Sequence, residues 1–406
     1  MSRLEVQLAT NTLLKKEVLI REGLAQVVVP NPEFYRRPDG VVEPAWMPVF
    51  YNPRAVLNRD LSVLFLKIVM RERDFFFVDA LSGTGVRGIR IALEVGGHGV
   101  LNDVDARAYY YMRKNILLNN LAEKLEAYNH EANALLNTIT LSGIYVDYVD
   151  IDPYGSPAPF IDSALKPIGK EAFLGITATD VASLSCTYPH KTQSRYWSEC
   201  IKVDFDKEFA ARLLIANTVL RAAALEVALQ PQITVVHEHY VRVFFKAKRS
   251  ALEAYKLVNN CVGYLWFCKS TLERGFVIST EDLAGLSCLD GSKPSVMGKV
   301  WICNIQAPQL VESMLPLLKE TPWLSNETVK LGNTLAEEAK IAQPYYRLDK
   351  LCSVLGLSMP KMSILIDKLK EQGIGCSRTH MDPRGVRVDA PYSELVSLIK
   401  SLQTRS

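Results

Sequence analysis

The sequence predicts a doubly wound α/β fold as far as Arg249, and two observations support this expectation. From Phe75 onward, short apolar runs alternate with helical segments of about 10 to 20 residues, a pattern typical of a mostly parallel sheet with helices on both faces. A glycine-rich turn directly follows the first apolar run. Such a turn lies at the carboxyl edge of the sheet, where doubly wound folds bind ligands.

The alternation gives five expected parallel strands, a closing pair and the helices between them. The strands are expected at 75–78, 99–101, 127–128, 145–151, 172–177, 233–236 and 241–245. Helices are expected at 89–95, 106–120, from 132, from 157 and at 209–229. Ser156 and Pro157 suit the N-cap and first position of the fourth helix.

The chain exceeds the usual size of one domain, with 406 residues. We expect an N-terminal domain over 1–249, in which a proline-rich and aromatic-rich extension over 1–55 covers the rest. A C-terminal domain over 250–406 begins as a smaller α+β unit. From Tyr345 it shows two short helices and a basic ribbon, which is the outline of a winged-helix-like module.

The composition is that of an ordinary globular protein, with 48% hydrophobic residues, 22% charged residues and a net charge of +3. This charge permits a nucleic-acid partner without indicating one. No signal-peptide pattern follows Met1 and no apolar run reaches about 18 residues, so we expect a cytoplasmic protein without a membrane span. The cysteines are scattered in mostly apolar segments, which we interpret as reduced, buried thiols.

The turn after the first expected strand carries Gly83, Gly85 and Gly88 in a G-x-G-x-x-G pattern. Glycine permits a tight turn and lets a ligand approach the backbone without meeting a Cβ atom. A turn that binds nothing could also need glycine. The position between a strand and a helix favours the ligand-binding interpretation.

Acidic residues follow the first three strands and bear on the choice of cofactor. Asp103 suits the two ribose hydroxyls of NAD or S-adenosylmethionine equally well. Asp79 would repel a pyrophosphate, which favours S-adenosylmethionine with its positively charged methionine end. Glu131, next to Ala132, is a candidate for the adenine amino group, although a carboxylate that stabilises a helix N-terminus has the same appearance.

The loop after the fourth strand carries Asp152, Pro153 and Tyr154 at the carboxyl edge of the sheet. This acid-Pro-aromatic triplet is similar to the loop of enzymes that methylate exocyclic amino groups. Such an amine is a poor nucleophile, and a carboxylate can orient it and take its proton. The Pro153 carbonyl would accept a second N–H and Tyr154 would stack on the base. A plain turn is the alternative.

With these motifs the chain resembles the tRNA guanine-26 N2-dimethyltransferase family. The resemblance is carried by the segments 48–54, 58–60, 79–90, 101–103, 150–157, 176–180 and 379–385. It implies a Rossmann-like methyltransferase sheet with a C-terminal α+β domain that contains a winged-helix-like segment. It further implies two successive methyl transfers from S-adenosyl-L-methionine to the 2-amino group of guanosine 26 in tRNA.

The resemblance also implies roles for individual residues. Asp152 would be the general base, and Phe50 and Tyr154 would sandwich the flipped guanine. The cofactor would be lined by charged residues, namely Arg59, Asp79, Arg87, Asp103 and Glu131. Without the family, Phe50 would be interpreted as an apolar anchor and Arg59 as a solvated helix charge.

Two segments depart from the family pattern. Many members carry paired Cys-x-x-Cys motifs suited to zinc, whereas here the segments 268–271 and 288–291 each lack the second cysteine. We therefore expect no metal. The residues after Asp180 lack the usual glycine and small residues, which makes Asp180 a weaker candidate for the site.

Several basic clusters are candidates for RNA contacts, namely Lys15-Lys16, Arg36-Arg37, His190-Lys191 with Arg195, Lys246-Lys248-Arg249, and Arg378 with Arg384 and Arg387. The last is preferred, because a ribbon after a helix pair is suited to reading the phosphate backbone. The C-terminal domain would then grip the tRNA while the N-terminal site takes the extruded base.

Two other classes of protein stay open. A methyltransferase acting on an adenine or cytosine amine would share the acid-Pro-aromatic loop, but it would not explain the 50–54 segment or the second domain. A catalytically silent RNA-binding or NAD-binding protein would have retained Asp152 by chance.

Overall fold

The structure is a computed structural model that describes residues 16–71 and 73–403. It begins with an antiparallel hairpin of strands β1 (Glu17–Glu22) and β2 (Ala25–Pro30). The centre is a seven-stranded sheet, which from edge to edge contains Leu125–Tyr128 (β5), His98–Asn102 (β4), Phe76–Asp79 (β3), Val146–Ile151 (β6), Ile168–Ala178 (β7), Tyr240–Arg249 (β9) and Val227–His237 (β8). Strands β3 to β7 are parallel, and β9 is antiparallel to both β7 and β8. The expected doubly wound α/β fold is confirmed.

Helices cover both faces of this sheet. Along the chain they are α1 (Val56–Met70), α2 (Val86–Glu94), α3 (Ala106–Leu118), α4 (Ala132–Leu141), α5 (Ile161–Leu165), α6 (Val181–Leu184), α7 (Pro189–Tyr196) and α8 (Asp206–Ala224). Phe77 and Tyr148 face a cluster formed with α1, α2 and α3. Their neighbours Val78 and Val149 face α4, α5 and α8, because successive side chains of a strand point to opposite faces.

Two of the expected helix boundaries are wrong. The helix expected from Pro157 begins at Ile161. Residues 157–160 form a turn instead, and the Ser156 hydroxyl before that turn accepts a hydrogen bond from the Ala158 N–H at 3.3 Å. The long helix expected over 209–229 ends at Ala224, because Glu226 adopts a left-handed backbone with φ 60° and Val227 already belongs to β8.

The described part of the N-terminal extension contacts the central domain. Its prolines open three short 3₁₀ turns at 32–35, 44–46 and 53–55. The Asn115 side chain of α3 attaches β2, because its Oδ1 accepts from the Val28 N–H at 2.7 Å and its Nδ2 donates to the Val28 carbonyl at 2.9 Å. Residues 1–15, which include Lys15, lie outside the described residues.

The remaining chain forms two further small sheets with their helices. Helix α9 (Ala251–Cys261) leads into a sheet of β11 (Arg274–Val277), β10 (Val262–Phe267) and β12 (Ser295–Trp301), in that order across the sheet, followed by α10 (Pro308–Glu320) and α11 (Asn326–Glu338). The final segment contains β13 (Tyr346–Arg347), α12 (Leu348–Leu355), α13 (Met362–Glu371), β14 (Cys376–Arg378), β15 (Gly385–Val388) and α14 (Tyr392–Gln403). A helix pair followed by the β14–β15 hairpin gives the expected winged-helix-like outline.

The regions before and after residue 249 share one hydrophobic core. Leu265 and Trp301 pack in the same cluster as the residues of α8. The Gln306 side chain continues the edge of the central sheet, since it accepts from the Thr234 N–H at 2.9 Å and donates to the Thr234 carbonyl at 2.7 Å. Among the described helices, none is long and apolar enough to cross a membrane.

The interpretation of the cysteines as reduced thiols is wrong. Three disulfides join Cys186 to Cys200, Cys261 to Cys303 and Cys268 to Cys288. Their Cα atoms lie 6.0, 5.1 and 5.9 Å apart, which is the spacing a disulfide requires. The third bond joins the two cysteines that remain at the incomplete Cys-x-x-Cys positions. Cys352 and Cys376 are free thiols.

Candidate active site

A cavity of about 720 Å³ opens at the carboxyl edge of the parallel strands. Four parts of the chain line it: the segment that precedes α1, the glycine turn after β3, the loop after β6, and the turn between β8 and β9. Nine of the twelve sequence-predicted site residues line this one cavity, namely Phe50, Arg59, Asp79, Gly83, Arg87, Asp103, Asp152, Pro153 and Tyr154. The other three, Gly85, Glu131 and Ala132, lie outside its lining.

Each glycine of the turn is required for a different structural reason. Gly83 and Gly85 have φ values of +55° and +80°, a left-handed conformation that favours glycine. Gly85 precedes α2 as its N-cap. A Cβ atom on Gly88 would lie 2.0 Å from Leu101 Cδ2, so this glycine allows α2 to pack closely on β4. The turn therefore holds the start of α2 against the sheet and leaves its backbone open to the cavity at Gly83.

Asp103 and Asp79 present carboxylates on opposite sides of this turn. Asp103 Oδ2 accepts from the Gly83 N–H at 2.9 Å, and Oδ1 accepts from the Asp105 N–H at 3.0 Å. Asp79 is fully buried, and its Oδ2 has no hydrogen-bond partner among the described residues. Burial and the nearby Asp150 carboxylate raise the pKa of Asp79 to about 7. An unpaired buried carboxylate of this kind fits a cationic ligand group.

Arg87 connects the glycine turn to the loop after β6. Its Nη1 donates to Asn58 Oδ1 at 2.8 Å and to Ser62 Oγ at 2.7 Å. Its Nη2 donates to Asp152 Oδ2, and its Nε lies 3.4 Å from Asp150 Oδ1. The guanidinium is buried, whereas the Asp152 carboxylate is partly exposed to the cavity. Arg87 therefore fixes the orientation of Asp152, a role that sequence reasoning did not assign to it.

A second buried arginine, Arg242, binds the Asp150 carboxylate. Arg242 Nη2 lies 2.5 Å from Asp150 Oδ2 and donates to Ser62 Oγ at 3.0 Å, and its Nη1 donates to Thr177 Oγ1 at 2.7 Å. The Tyr148 hydroxyl also donates to Asp150. Asp150 is thus held by two arginines, and their charges lower its pKa although burial raises it. In the sequence, the acidic residue Asp150 within the largely apolar strand 146–151 was the feature that could have indicated this network.

Arg59 attaches the N-terminal hairpin to the cavity wall. Its Nε and Nη2 donate to Glu22 at 2.6 and 2.7 Å, and Nη2 also donates to the Asn52 carbonyl at 3.1 Å. Burial raises the pKa of Glu22, but the charges of Arg59 and Arg90 outweigh it and lower the value to about 2. The alternative of a solvated helix charge is wrong, because the Arg59 side chain is buried.

Phe50 and Tyr154 lie at the mouth of the cavity, and both rings are exposed. Their centroids are 5.6 Å apart and their planes meet at 85°, an edge-to-face arrangement. This arrangement contains no parallel slot for a planar base. A base could enter between the rings if at least one of them rotated.

Glu131 caps the N-terminus of α4. Its carboxylate accepts from the Ala134 N–H at 2.8 Å and from Asn133 Nδ2 at 2.9 Å. Ala132 is buried in the core beneath it. The two residues follow the carboxyl end of β5, next to β4.

Asp180 stabilises the loop after β6 from its far side. It accepts from Arg195 Nη1 at 2.5 Å and from the Tyr196 hydroxyl at 2.7 Å. The Tyr196 oxygen in turn lies 2.9 Å from Ser156 Oγ. Asp180 is therefore paired within the protein and does not line the cavity.

Arg387 was expected to contact RNA, and this expectation is wrong. Its side chain is buried and ion-paired with Glu208 at 3.0 Å and with Glu338 at 3.3 Å. His380 Nδ1 pairs with Glu338, and its Nε2 accepts from the Val236 N–H at 3.0 Å. This buried ion cluster, composed of Glu208, Glu338, His380 and Arg387, ties the winged-helix-like segment to α8 and β8.

The other basic candidates lie at the surface. Arg378 and Arg384 are exposed on the β14–β15 hairpin, where Arg384 Nη1 also lies 3.1 Å from Asp349 Oδ2. His190 and Lys191 are exposed on α7. The remaining described pairs near the central domain, Arg36-Arg37 and Lys246-Lys248, are each bonded to neighbouring carboxylates.

Sequence reasoning placed no site residue on the turn between β8 and β9, yet Glu238, His239 and Tyr240 line the cavity. In the sequence, the run of charged and aromatic residues between two apolar strands could have indicated that this turn belongs to the site.

The parallel sheet, the glycine turn with its flanking acids and the acid-Pro-aromatic loop at the same edge together define a class, the Rossmann-like methyltransferases. The particular family follows from comparison with known proteins. The family model for N2,N2-dimethylguanosine tRNA methyltransferase matches residues 31–400. The chain belongs to this family and is accordingly a tRNA methyltransferase, which confirms the resemblance seen in the sequence.

Individual relatives agree over nearly the whole length. The chain is 34% identical over 394 residues to the tRNA (guanine(26)-N(2))-dimethyltransferase of Sulfolobus acidocaldarius, covering 96% of this chain and 99% of the relative. It is 35% identical over 385 residues to the enzyme of that name from Sulfurisphaera tokodaii, covering 94% and 98%. The solved structure of Trm1 from Pyrococcus horikoshii in complex with S-adenosyl-L-methionine has a TM-score of 0.80 at 27% identity, covering 94% of this chain and 99% of that one.

Proposed function

We propose that this enzyme transfers two methyl groups in succession from S-adenosyl-L-methionine to the exocyclic N2 of guanosine 26 in tRNA. The observation that carries the proposal is the position of Asp152. Its carboxylate opens to the same cavity as the glycine turn and Asp79, and Arg87 holds it there. Membership of the family and the names of the relatives supply the substrate and the methyl donor.

The side of the cavity at β3 and β4 binds the cofactor in this proposal. The free Oδ2 atom of Asp79 accepts hydrogen bonds from the ammonium group of the methionine end. Each Asp103 oxygen already accepts one backbone N–H and keeps a further lone pair for a ribose hydroxyl. Arg59 forms part of the wall. Glu131 and Ala132, at the end of the strand next to β4, are proposed to meet the adenine edge.

When bound, S-adenosyl-L-methionine would supply an electrophilic methyl group and leave as the neutral thioether, and the protein provides the base. The N2 atom of guanine becomes cationic as its new carbon–nitrogen bond forms, and Asp152 takes the proton that it then releases. Arg87 restrains the carboxylate in the required orientation, since its other donors are already fixed by Asn58 and Ser62. The Pro153 carbonyl accepts a second N–H of the base.

The target guanosine must leave its stack to reach this cavity. We propose that Phe50 and Tyr154 receive the extruded base, because two exposed aromatic rings lie at the cavity mouth. Stacking on an aromatic side chain is worth about 1–3 kcal/mol per base. The edge-to-face arrangement of the rings then becomes parallel when the base enters.

The C-terminal region over 250–406 is proposed to bind the body of the tRNA. Arg378 and Arg384 lie exposed on one hairpin, where they can contact successive phosphates. We place the enzyme in the cytoplasm with its tRNA substrate. No metal takes part in the proposed chemistry, and the cysteines at the incomplete Cys-x-x-Cys positions are bonded to each other.

The test is methyl transfer to an unmodified tRNA by the wild type and by Asp152→Ala. We expect Asp152→Ala to abolish turnover while leaving the affinity for S-adenosyl-L-methionine nearly unchanged, as measured by titration calorimetry. Asp162→Asn is the matched control, because Asp162 lies on α5 and pairs with Arg221 outside the cavity. Mass spectrometry of the nucleosides should find N2,N2-dimethylguanosine. Retained turnover in Asp152→Ala would remove Asp152 from its role, and methylation of duplex DNA instead of tRNA would overturn the proposed substrate.

A further inference from the structure

Tyr240 lies on the side of Asp152 that faces away from the cofactor. It is the first residue of β9, and the register pairs its neighbour Val241 with Ala178 at the end of β7. Asp152 follows β6, which lies between β3 and β7 in the central sheet, and β9 lies beyond β7. Asp152 therefore has a different group of residues on each side. The glycine turn and Asp79 lie on one side, and Tyr240 lies on the other, where the acceptor base must enter.

The hydroxyl of Tyr240 has no function within the protein. Its oxygen is shielded from solvent and has no hydrogen-bond partner among the described residues, although the residue lines the cavity. Buried tyrosine hydroxyls usually find a partner. Because the residue lines the cavity while its hydroxyl is closed to solvent, a shift of the Tyr240 side chain would present the unpaired hydroxyl to a ligand there.

Tyr240 offers a neutral donor. Burial raises the pKa of Tyr240 well above its ordinary value, and the Asp152 carboxylate raises it too, while Arg242 and Arg87 act in the opposite direction. The phenol thus keeps its proton throughout the neutral range and can donate a hydrogen bond.

We propose that the Tyr240 hydroxyl donates a hydrogen bond to the O6 carbonyl of the target guanine and so contributes to selection of this base. The inference rests on the proposed function, in which Asp152 and the Pro153 carbonyl engage the N–H groups of guanine. O6 is the acceptor on the same edge of the base as these N–H groups. A base that keeps the 2-amino group but has no oxygen at position 6 would leave the Tyr240 hydroxyl without its acceptor.

The experiment combines one substitution in the protein with one change in the base. Tyr240→Phe removes the hydroxyl alone. A tRNA with 2-aminopurine at the target position keeps the reactive 2-amino group and lacks both O6 and the N1 hydrogen. Its reaction in the wild type is therefore slower for both reasons, and only the additional effect of Tyr240→Phe reports on O6. Single-turnover methylation rates are measured for both enzymes on both tRNAs, and the factor by which Tyr240→Phe slows each substrate is compared.

We expect Tyr240→Phe to slow methylation of guanosine about tenfold, the effect of one neutral hydrogen bond. It should leave the slower reaction of 2-aminopurine unchanged, because that base offers no O6. The thermal midpoint should not fall, since the lost hydroxyl has no partner in the protein. The affinity for S-adenosyl-L-methionine should also stay the same. Tyr145→Phe is the control, because Tyr145 is an exposed tyrosine outside the cavity lining.

Several results would overturn the inference. These are no effect of Tyr240→Phe on guanosine, equal slowing of both bases, or a loss confined to cofactor affinity. A wild type that fails to methylate guanosine 26 would instead refute the proposed function, so the two failures are distinguishable.

Discussion

Raising the pH from about 4 to about 8 should lower the free energy of unfolding of the cofactor-free protein, because Asp79 loses its proton. Burial and the neighbouring Asp150 carboxylate raise the pKa of Asp79 from 3.8 to about 7, since both disfavour the charged form. Between these values the folded protein holds a proton that the unfolded chain has lost. The stability contributed by Asp79 is therefore fully present below the lower value and is lost as the pH rises through the upper one.

The size of this effect follows from the two pKa values of Asp79. The interval from 3.8 to about 7 corresponds to roughly 4 kcal/mol, since one pKa unit is worth about 1.4 kcal/mol. Asp79→Asn keeps the shape of the side chain and cannot ionise. The variant and the wild type should be similarly stable near pH 4, and the variant should be more stable near pH 8 by up to this amount.

Urea unfolding at a series of pH values measures the difference between the two proteins, with Asp162→Asn as an exposed control. Binding of S-adenosyl-L-methionine supplies a second readout. Its ammonium group favours the ionised form of Asp79, so the wild type should release a proton on binding near pH 7, whereas Asp79→Asn should not. Calorimetry in buffers of different ionisation enthalpy detects that proton.

Two results would refute this reasoning. The free energies of unfolding of the wild type and Asp79→Asn could run parallel from pH 4 to pH 8. Alternatively, the wild type could bind the cofactor without proton release. Either would mean that Asp79 is already ionised in the folded, cofactor-free protein.

Three further perturbations have expected outcomes. Arg387→Ala removes the cation shared by two buried carboxylates, which keep Arg212 and His380 as their remaining partners, and should cost about 3 kcal/mol of stability in urea unfolding, while the salt dependence of tRNA binding stays unchanged. Replacing Cys186 and Cys200 by serine opens a loop with a sequence separation of 14 and should cost about 3 kcal/mol; reducing agent should lower the stability of the wild type too. Gly88→Ala drives a Cβ atom to 2.0 Å from Leu101 and should cost about 1–3 kcal/mol, as followed by thermal unfolding.

Each of these three has its own control and its own contradicting result. Arg384→Ala tests an exposed arginine of the same segment, and a shallower salt slope for Arg387→Ala would return that residue to the RNA interface. A wild type whose stability ignores reducing agent would argue against the disulfide. Gly169→Ala, whose Cβ atom would meet Tyr145 at an ordinary 3.5 Å, is the control for Gly88, and equal stability of the two variants would contradict the close packing.

The sequence revealed those features of the fold and site that depend on local chemistry. Parallel strands and the helices between them leave short-range apolar patterns, and these patterns predicted the alternating strands and helices of the chain up to Ala178. The glycine turn and the loop at Asp152 are contiguous motifs that follow strands. Since the carboxyl ends of parallel strands meet at one edge, their assembly around one cavity could be expected before any coordinates.

Features that depend on distant segments could not be found in this way. Tyr240 reaches the cavity because β9 inserts between β7 and β8, which no local pattern shows. The partners of Arg387 lie far away in the sequence, so an arginine in a basic ribbon resembles an RNA contact until its burial is known. The disulfides likewise join cysteines whose proximity arises from the fold.

The buried ion cluster of Glu208, Glu338, His380 and Arg387 restricts the motion of the C-terminal hairpin. Buried ion pairs tolerate little displacement, because a separated charge would remain without water or a counter-ion. The ion pairs therefore oppose a rotation of the hairpin against the central sheet. In the proposed tRNA complex, an RNA contact at Arg378 and a base in the cavity would lie a set distance apart, so lengthening the RNA between them by one base pair should present a neighbouring nucleotide to the cavity.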